Sequence, residues 1–218
     1  MIGAMPKVKY IFWDNDGVLV DTEPLFYQAT KSIFADLGFD LTDELFQQWF
    51  LSDSRGAWHL LGGERSSSSA VKEYKRKRDV LYSQLLSQTD HRTSHVQSTL
   101  NRLYGSIPMG VVTSSKPEHF HLIHDSTGYK RFFEFILTRE AYALSKPEPD
   151  PYIKALELSG VSPQEAVVVE DSERGLRSAI AAGIKCWVLP SELTTGSDFS
   201  GADRILTSIE EVLTLLED

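Results

Sequence analysis

The chain has one cysteine, Cys186, so no internal disulfide can form and no cysteine-built metal site is available. No apolar run is long enough to cross a bilayer, and the N-terminus lacks the apolar core of a secretory signal. A cytoplasmic protein with no membrane partner is therefore expected. Positive charge is also scarce: 22 Lys and Arg face 31 Asp and Glu, for a net charge of -9. That excludes a general nucleic-acid binder, which needs a basic surface, but leaves room for a local basic pocket. The six histidines (59, 91, 95, 119, 121 and 124) show no spacing suited to a transition metal. The first five residues read as a loose leader or an appended remnant. What remains is an ordinary globular composition, 41% hydrophobic and 24% charged over 218 residues, enough for one large domain or a domain with an insertion.

Short apolar strands alternate with helical segments. Strands are expected at 8–13, 108–112, 133–137, 166–169 and 184–189, with a sixth, edge strand at 202–206. Cys186 falls in the fifth, where a small core residue is expected. Helices are expected near 117–126, 149–159, 172–182 and 208–217. Near-continuous apolar strands separated by helices imply an α/β fold with a parallel sheet covered on both faces. Right-handed crossovers then bring every strand's C-terminal end to one edge, where ligands bind.

Residues 23–92 break that rhythm. Leu25, Phe26, Ala29, Ile33, Phe34 and Leu37 recur at helical spacing, and Gly38 ends the helix. Further helices are expected near 42–50, 54–61 and 68–88, with the Ser66–Ser69 run as a loop and helix start. This segment reads as a helical insertion after the first strand.

Four strand ends carry chemistry. Asp14-Asn15-Asp16-Gly17 places two acids beside an apolar strand, where they repel unless a cation sits near. Mg2+ suits such oxygen ligands. Thr113-Ser114-Ser115-Lys116-Pro117 brings hydroxyls to a helix start, which suits phosphate or, more blandly, an N-cap. Lys146 sits in a loop stiffened by Pro147, Pro149 and Pro151, able to neutralise an anion or simply to be solvated. Glu170-Asp171-Ser172 delivers a second acid pair, unless these residues only cap the next helix. Each bland reading is tolerable alone; all four at one sheet edge are not.

These residues, in this order, resemble the haloacid dehalogenase superfamily in its branch of Mg2+-dependent phosphatases and phosphomutases. Asp21-Thr22-Glu23-Pro24, Gly175 and Ala181-Ala182-Gly183 are similar to the beta-phosphoglucomutase-like subgroup. The resemblance covers nearly the whole chain and implies a doubly wound, Rossmann-like core (1–21 and 93–218) with an inserted α-helical cap domain (22–92). It implies Asp14 as the nucleophile that forms an aspartyl phosphate, and Asp16 as general acid and then base. Thr113 would bind the transferring phosphoryl group and Lys146 would balance its charge. Asp14, Glu170 and Asp171, with the Asp16 carbonyl, would hold Mg2+. Backbone N–H groups near Asn15, Gly17 and Ser114 would bind phosphate oxygens.

A second acid at position 16 favours P–O cleavage, because dehalogenases and phosphonatases of the superfamily replace it. A phosphatase acting on a small phosphorylated metabolite, above all a sugar phosphate, is the first reading, and a monomer suffices for it. A phosphomutase is the alternative: Ser52 to Gly56 resembles a substrate-facing loop, with Arg55 and Lys77 at phosphate-gripping positions. Against it, the mutase cap histidine is replaced by Phe26. A catalytically silent phosphometabolite binder is a third reading. Trp49 and Trp58 are expected to fill the cap core. Links near 20–24 and 88–96 are expected to act as hinges.

Overall fold

The computed structural model describes residues 7–53 and 55–217. Met1 to Met5, for which a leader or an appended remnant was expected, and Ser54 in the loop 52–56, lie outside them. The strands are β1 (Tyr10–Trp13), β2 (Met109–Val112), β3 (Phe135–Leu137), β4 (Ala166–Glu170), β5 (Lys185–Val188) and β6 (Arg204–Ile205). The helices are α1 (Glu23–Asp36), α2 (Asp43–Phe46), α3 (Ser68–Gln88), α4 (Val96–Leu103), α5 (Pro117–Thr127), α6 (Asp150–Ser159), α7 (Glu173–Ala181) and α8 (Glu211–Glu217).

All six strands are parallel, in the order β3-β2-β1-β4-β5-β6. The chain builds outward from β1 to β3, then returns to the other side of β1 with β4. That reversal puts the topological switch point between β1 and β4, the place where open α/β sheets form a ligand crevice.

The central strands are buried on both faces, which is why they read as unbroken apolar runs. Their side chains alternate between two clusters. Ile11, Trp13, Met109, Val111, Val167 and Val169 pack with Leu100 of α4, Phe120 of α5 and Val212 of α8. Tyr10, Phe12, Val112 and Val168 pack with Tyr152 of α6 and Leu176 of α7. Cys186 is fully buried in the second cluster.

The helical segment after β1 has a third cluster of its own, built from Phe34, Leu41, Phe46, Phe50, Trp58 and Leu61 among others. Trp58 is buried there, as expected. The expected helix at 42–50 divides: α2 gives way to a π-helical turn at Gln47–Ser52. The expected helix at 54–61 is only a 3-10 turn, Ala57–Leu61, between Gly56 and Gly62 at positive φ. Helix α3 occupies the expected 68–88 span, with Ser67 accepting from the Ala70 N–H as its cap. Helix α4 was not among the expected elements, although Val96, Leu100 and Leu103 share one buried face. The two links to the helical segment run side by side, joined by an isolated bridge between Val20 and Arg92. No helix among the described residues is long and apolar enough to cross a membrane.

Candidate active site

Beyond β1, the ladder continues for one residue: the Asp14 N–H donates to the Val169 carbonyl at 2.9 Å. The chain then turns. The Asn15 carbonyl accepts from the N–H groups of Val18, Leu19 and Val20. Gly17 has φ +81°, and a Cβ there would lie 2.1 Å from Asp171 Oδ2. The turn therefore needs glycine for its backbone and for its close approach to β4. It leaves Asp14 at the sheet edge and sends Asp16 into the cleft above it.

Lys146 comes from the proline-rich loop before α6 and is 1% exposed. Its Nζ donates to Asp14 Oδ1 at 2.9 Å, to Glu170 Oε1 at 2.5 Å and to the Val112 carbonyl at 2.9 Å. All three ammonium protons are used. The Glu170 carboxylate also accepts from the Tyr152 hydroxyl at 2.6 Å, from the Ser172 hydroxyl and from the Asp171 N–H. Ser172 caps α7 by accepting from the Gly175 N–H, so Asp171 is free of that duty.

Asp14, Glu170 and Asp171 are all buried and offer carboxylate oxygens within 4.8 Å of one another. Burial and the neighbouring Glu170 push the Asp14 carboxyl up to about 7, against the pull of Lys146. Burial, then Glu23, Asp14 and Glu170, push Asp171 well above the usual carboxylate range. Asp171 Oδ2 is buried with no hydrogen-bond partner. Three carboxylates against one ammonium leave a negative excess that a divalent cation matches, and a hard oxygen donor set of this kind suits Mg2+. These residues fit a Mg2+ site.

Asp16 sits apart from that trio. Its carboxylate accepts from Thr22 Oγ1 at 2.5 Å, Ser115 Oγ at 2.7 Å and Thr113 Oγ1 at 3.2 Å. Thr22 stands at the N-cap of α1 but makes no side-chain cap, because its hydroxyl serves Asp16. Any metal ligation by Asp16 falls to its backbone, since its carboxylate is outside the acidic trio.

The cleft has a volume of about 320 Å³ and lies between this edge and the helical segment. Asp16, Ser114 and Ser115 line it from the sheet; Phe26, Trp58 and Tyr82 line it from the helices. The buried Ser114 hydroxyl has no partner. Arg55 lines the cleft, but its guanidinium pairs with Asp53 at 2.6 Å and lies over the Trp49 ring. Lys77 does not: it is exposed and absent from the lining, which Lys75 and Arg78 supply instead. Each step along a helix turns a side chain by about 100°, so an error of one residue changes the face.

Four contributors had no individual role assigned to them from the sequence. Ser115 and Thr22 hold Asp16, as described. Glu23 is buried, accepts from the Ser191 hydroxyl and has its carboxyl raised to about 7 by burial. His124 Nε2 donates to Asn15 Oδ1 at 2.6 Å, so the Asn15 side chain faces α5. No local pattern marks such a pairing between residues 109 positions apart.

A family profile described as haloacid dehalogenase-like hydrolase matches residues 11–189. Protein CbbY of Cereibacter sphaeroides is 29% identical over 222 residues, covering 94% of this chain and 94% of that protein. The phosphorylated carbohydrates phosphatase of Thermotoga maritima is 24% identical over 211 residues, covering 95% and 98%. Among solved structures, a CbbY variant from Rhodobacter sphaeroides in complex with xylulose 1,5-bisphosphate superposes with a TM-score of 0.81 at 26% identity, covering 94% of this chain and 96% of that one. With that match across most of its length, the chain belongs to the haloacid dehalogenase-like hydrolases, in their phosphatase branch.

Proposed function

We propose that the protein is a Mg2+-dependent phosphatase that hydrolyses a small phosphorylated metabolite, of the sugar-phosphate class, through an aspartyl phosphate on Asp14. One observation carries this reading: Asp14, gripped by Lys146, shares a buried carboxylate cluster with Glu170 and Asp171 while Asp16 projects into the adjoining cleft. The names of the Thermotoga phosphatase and of the bisphosphate complex support the substrate class.

Asp14, Glu170 and Asp171, with the Asp16 carbonyl, would hold the cation. When bound, it offsets the charge of the phosphoryl oxygens and of the attacking carboxylate. An Asp14 oxygen attacks phosphorus and the bond to the leaving oxygen breaks. Asp16, acting as general acid, gives that oxygen its proton. Asp16 then takes a proton from water; the water oxygen attacks phosphorus and the bond to Asp14 breaks, releasing phosphate. The hydroxyls of Thr22 and Ser115 hold Asp16 in line throughout, and Thr113 turns its hydroxyl from Asp16 to the phosphoryl group when substrate binds. Lys146 keeps Asp14 oriented. Thr113, Ser114 and the N–H groups of the Asn15–Gly17 turn grip the phosphoryl oxygens.

Residues 22–92 act as a cap that closes over the cleft and excludes water. Its separate apolar cluster and its two paired links support that role. Phe26 lines the cleft wall and offers no proton-transfer group, which favours hydrolysis over a mutase cycle.

The test is phosphate release from a panel of sugar phosphates, with Mg2+ and with EDTA. Metal-dependent release is expected. Bisphosphate-dependent interconversion of sugar phosphates without net release would favour the mutase instead, and binding without either reaction would favour a silent sensor.

A further inference from the structure

The loop 189–203 between β5 and β6 carries none of the catalytic groups, yet it is built with care. Its ends are pinned to the core. The Leu189 N–H donates to the Glu170 carbonyl at 2.7 Å, and Phe199 is buried in the second apolar cluster. Its middle braces itself. The Ser191 N–H donates to Thr194 Oγ1 at 2.8 Å, the Thr194 N–H to the Ser191 carbonyl at 3.1 Å, and the Ser197 N–H to the Thr194 carbonyl at 2.9 Å. Thr194 is fully buried. A compact loop packed by its own side chains moves as one piece.

Three contacts run from this loop to the helical segment. At the segment's root, where α1 begins, the Ser191 hydroxyl donates to Glu23 Oε2 at 3.0 Å. Glu23 in turn borders the Asp171 carboxyl. Further up, Leu193 packs against the segment's own apolar cluster; among the described residues it is the only hydrophobic one from outside 22–92 to do so. At the π-helical turn, Gln47 Nε2 donates to Ser197 Oγ at 3.3 Å. A Cβ at Gly196 would lie 3.1 Å from the same Nε2, so the loop backbone comes close to the turn. If the segment swings away, Leu193 returns apolar surface to water, so its burial favours the closed arrangement. By strand order β5 and β2 lie on opposite sides of the β1–β4 pair, so this loop and the Lys116 tie to Asp79, at 2.8 Å, flank the switch point.

We propose that the loop 191–197 is a latch: Leu193 and Ser197 hold the cap closed, and Ser191 seats Glu23 beside Asp171, so that cap closure and completion of the acidic site are one event. The proposal rests on the reading of 22–92 as a cap and adds the element that controls it. Ser191, Leu193 and Gln47 are positioning residues, acting through the cap and through Glu23.

The test has two arms on the full chain. In the first, without metal or substrate, spin labels at Glu64→Cys in the cap and Glu157→Cys in the core report their separation; both sites are exposed, and Cys186 is buried and takes no label. Leu193→Ala and Gln47→Ala are each expected to add a second, longer distance population, whereas Leu193→Met keeps the original one. Gln47 stands outside the apolar cluster, so its variant separates an opened cap from a loosened cap core. In the second arm, phosphate release is followed against Mg2+ concentration. Ser191→Ala is expected to raise the Mg2+ needed for half-maximal release by about three- to tenfold, the worth of one hydrogen bond, and Ser191→Thr to restore it. Leu193→Ala should raise it too, and the double variant Ser191→Ala with Leu193→Ala should be no worse than the poorer single one. Unchanged distances in both Leu193→Ala and Gln47→Ala would overturn the latch, whatever the turnover. An opened cap with unchanged Mg2+ demand, or additive effects in the double variant, would overturn its coupling to Glu23. Absence of phosphate release by the wild-type protein would overturn the phosphatase reading alone, since the distances still decide the latch.

Discussion

Lys146 Nζ lies 2.9 Å from Asp14 Oδ1 although 132 positions separate the two residues, and both are buried. The lysine is the cation at the centre of the cluster. Removing it strands two carboxylates, whereas removing one carboxylate leaves it paired with Glu170 and the Val112 carbonyl. Lys146→Met is therefore expected to cost about 3–5 kcal/mol of stability, much more than Asp14→Asn. Asp14→Asn should instead lower turnover by about a thousandfold or more while keeping the fold. Thermal melts and phosphate release on both variants check the contrast.

Gly175 lies in the first turn of α7, and an added Cβ would sit 1.9 Å from Glu170 Cδ. Helix propensity alone would make Gly175→Ala stabilising by about 0.5–1 kcal/mol. The clash is with a carboxyl held by four donors, which cannot step aside without losing them. The variant is expected to melt lower and to need more Mg2+ for half-maximal turnover. A higher melting temperature with unchanged Mg2+ demand would refute the packing argument.

Asp16 serves the leaving oxygen, so its loss should depend on how good the leaving group is. Asp16→Ala is expected to slow hydrolysis of alkyl phosphates by about 10²–10⁴-fold. With p-nitrophenyl phosphate, whose leaving group needs no proton, the defect should be much smaller. Equal defects on both substrates would deny Asp16 its acid role.

His124 is buried between Asn15 Oδ1 and Thr127 Oγ1, and burial lowers its pKa to about 4 from 6.5. The neutral ring is the folded form, so the unfolded chain binds a proton first as pH falls. The stabilisation is complete above pH 6.5 and is lost as pH drops towards 4. Its full size is roughly 3 kcal/mol. Denaturant unfolding of the wild-type protein and His124→Gln across this window should show the variant's stability falling less steeply.

The acids at 14, 16, 170 and 171 were legible because each ends an apolar run, and a parallel sheet sends such ends to one edge. Lys146 was legible because three prolines follow it closely. Helix α4 was not expected because its three apolar residues, although at helical spacing, stand in a short polar run; packing against α8 and the core makes that face count. Glu23 stood only in a motif of the resemblance, with no role of its own; burial beside Asp171 makes it part of the site.

The order of strands and helices, and the residue types delivered to the sheet edge, follow from the sequence, because apolar periodicity and helix caps act over a few neighbouring residues. Which oxygen meets which donor does not. The rotation of α3 against the core brings Lys75 and Arg78 to the cleft in place of Lys77, and the fold pairs His124 with Asn15. Those outcomes depend on packing between distant segments, where one residue of helical phase, about 100°, decides whether a charge meets substrate or solvent.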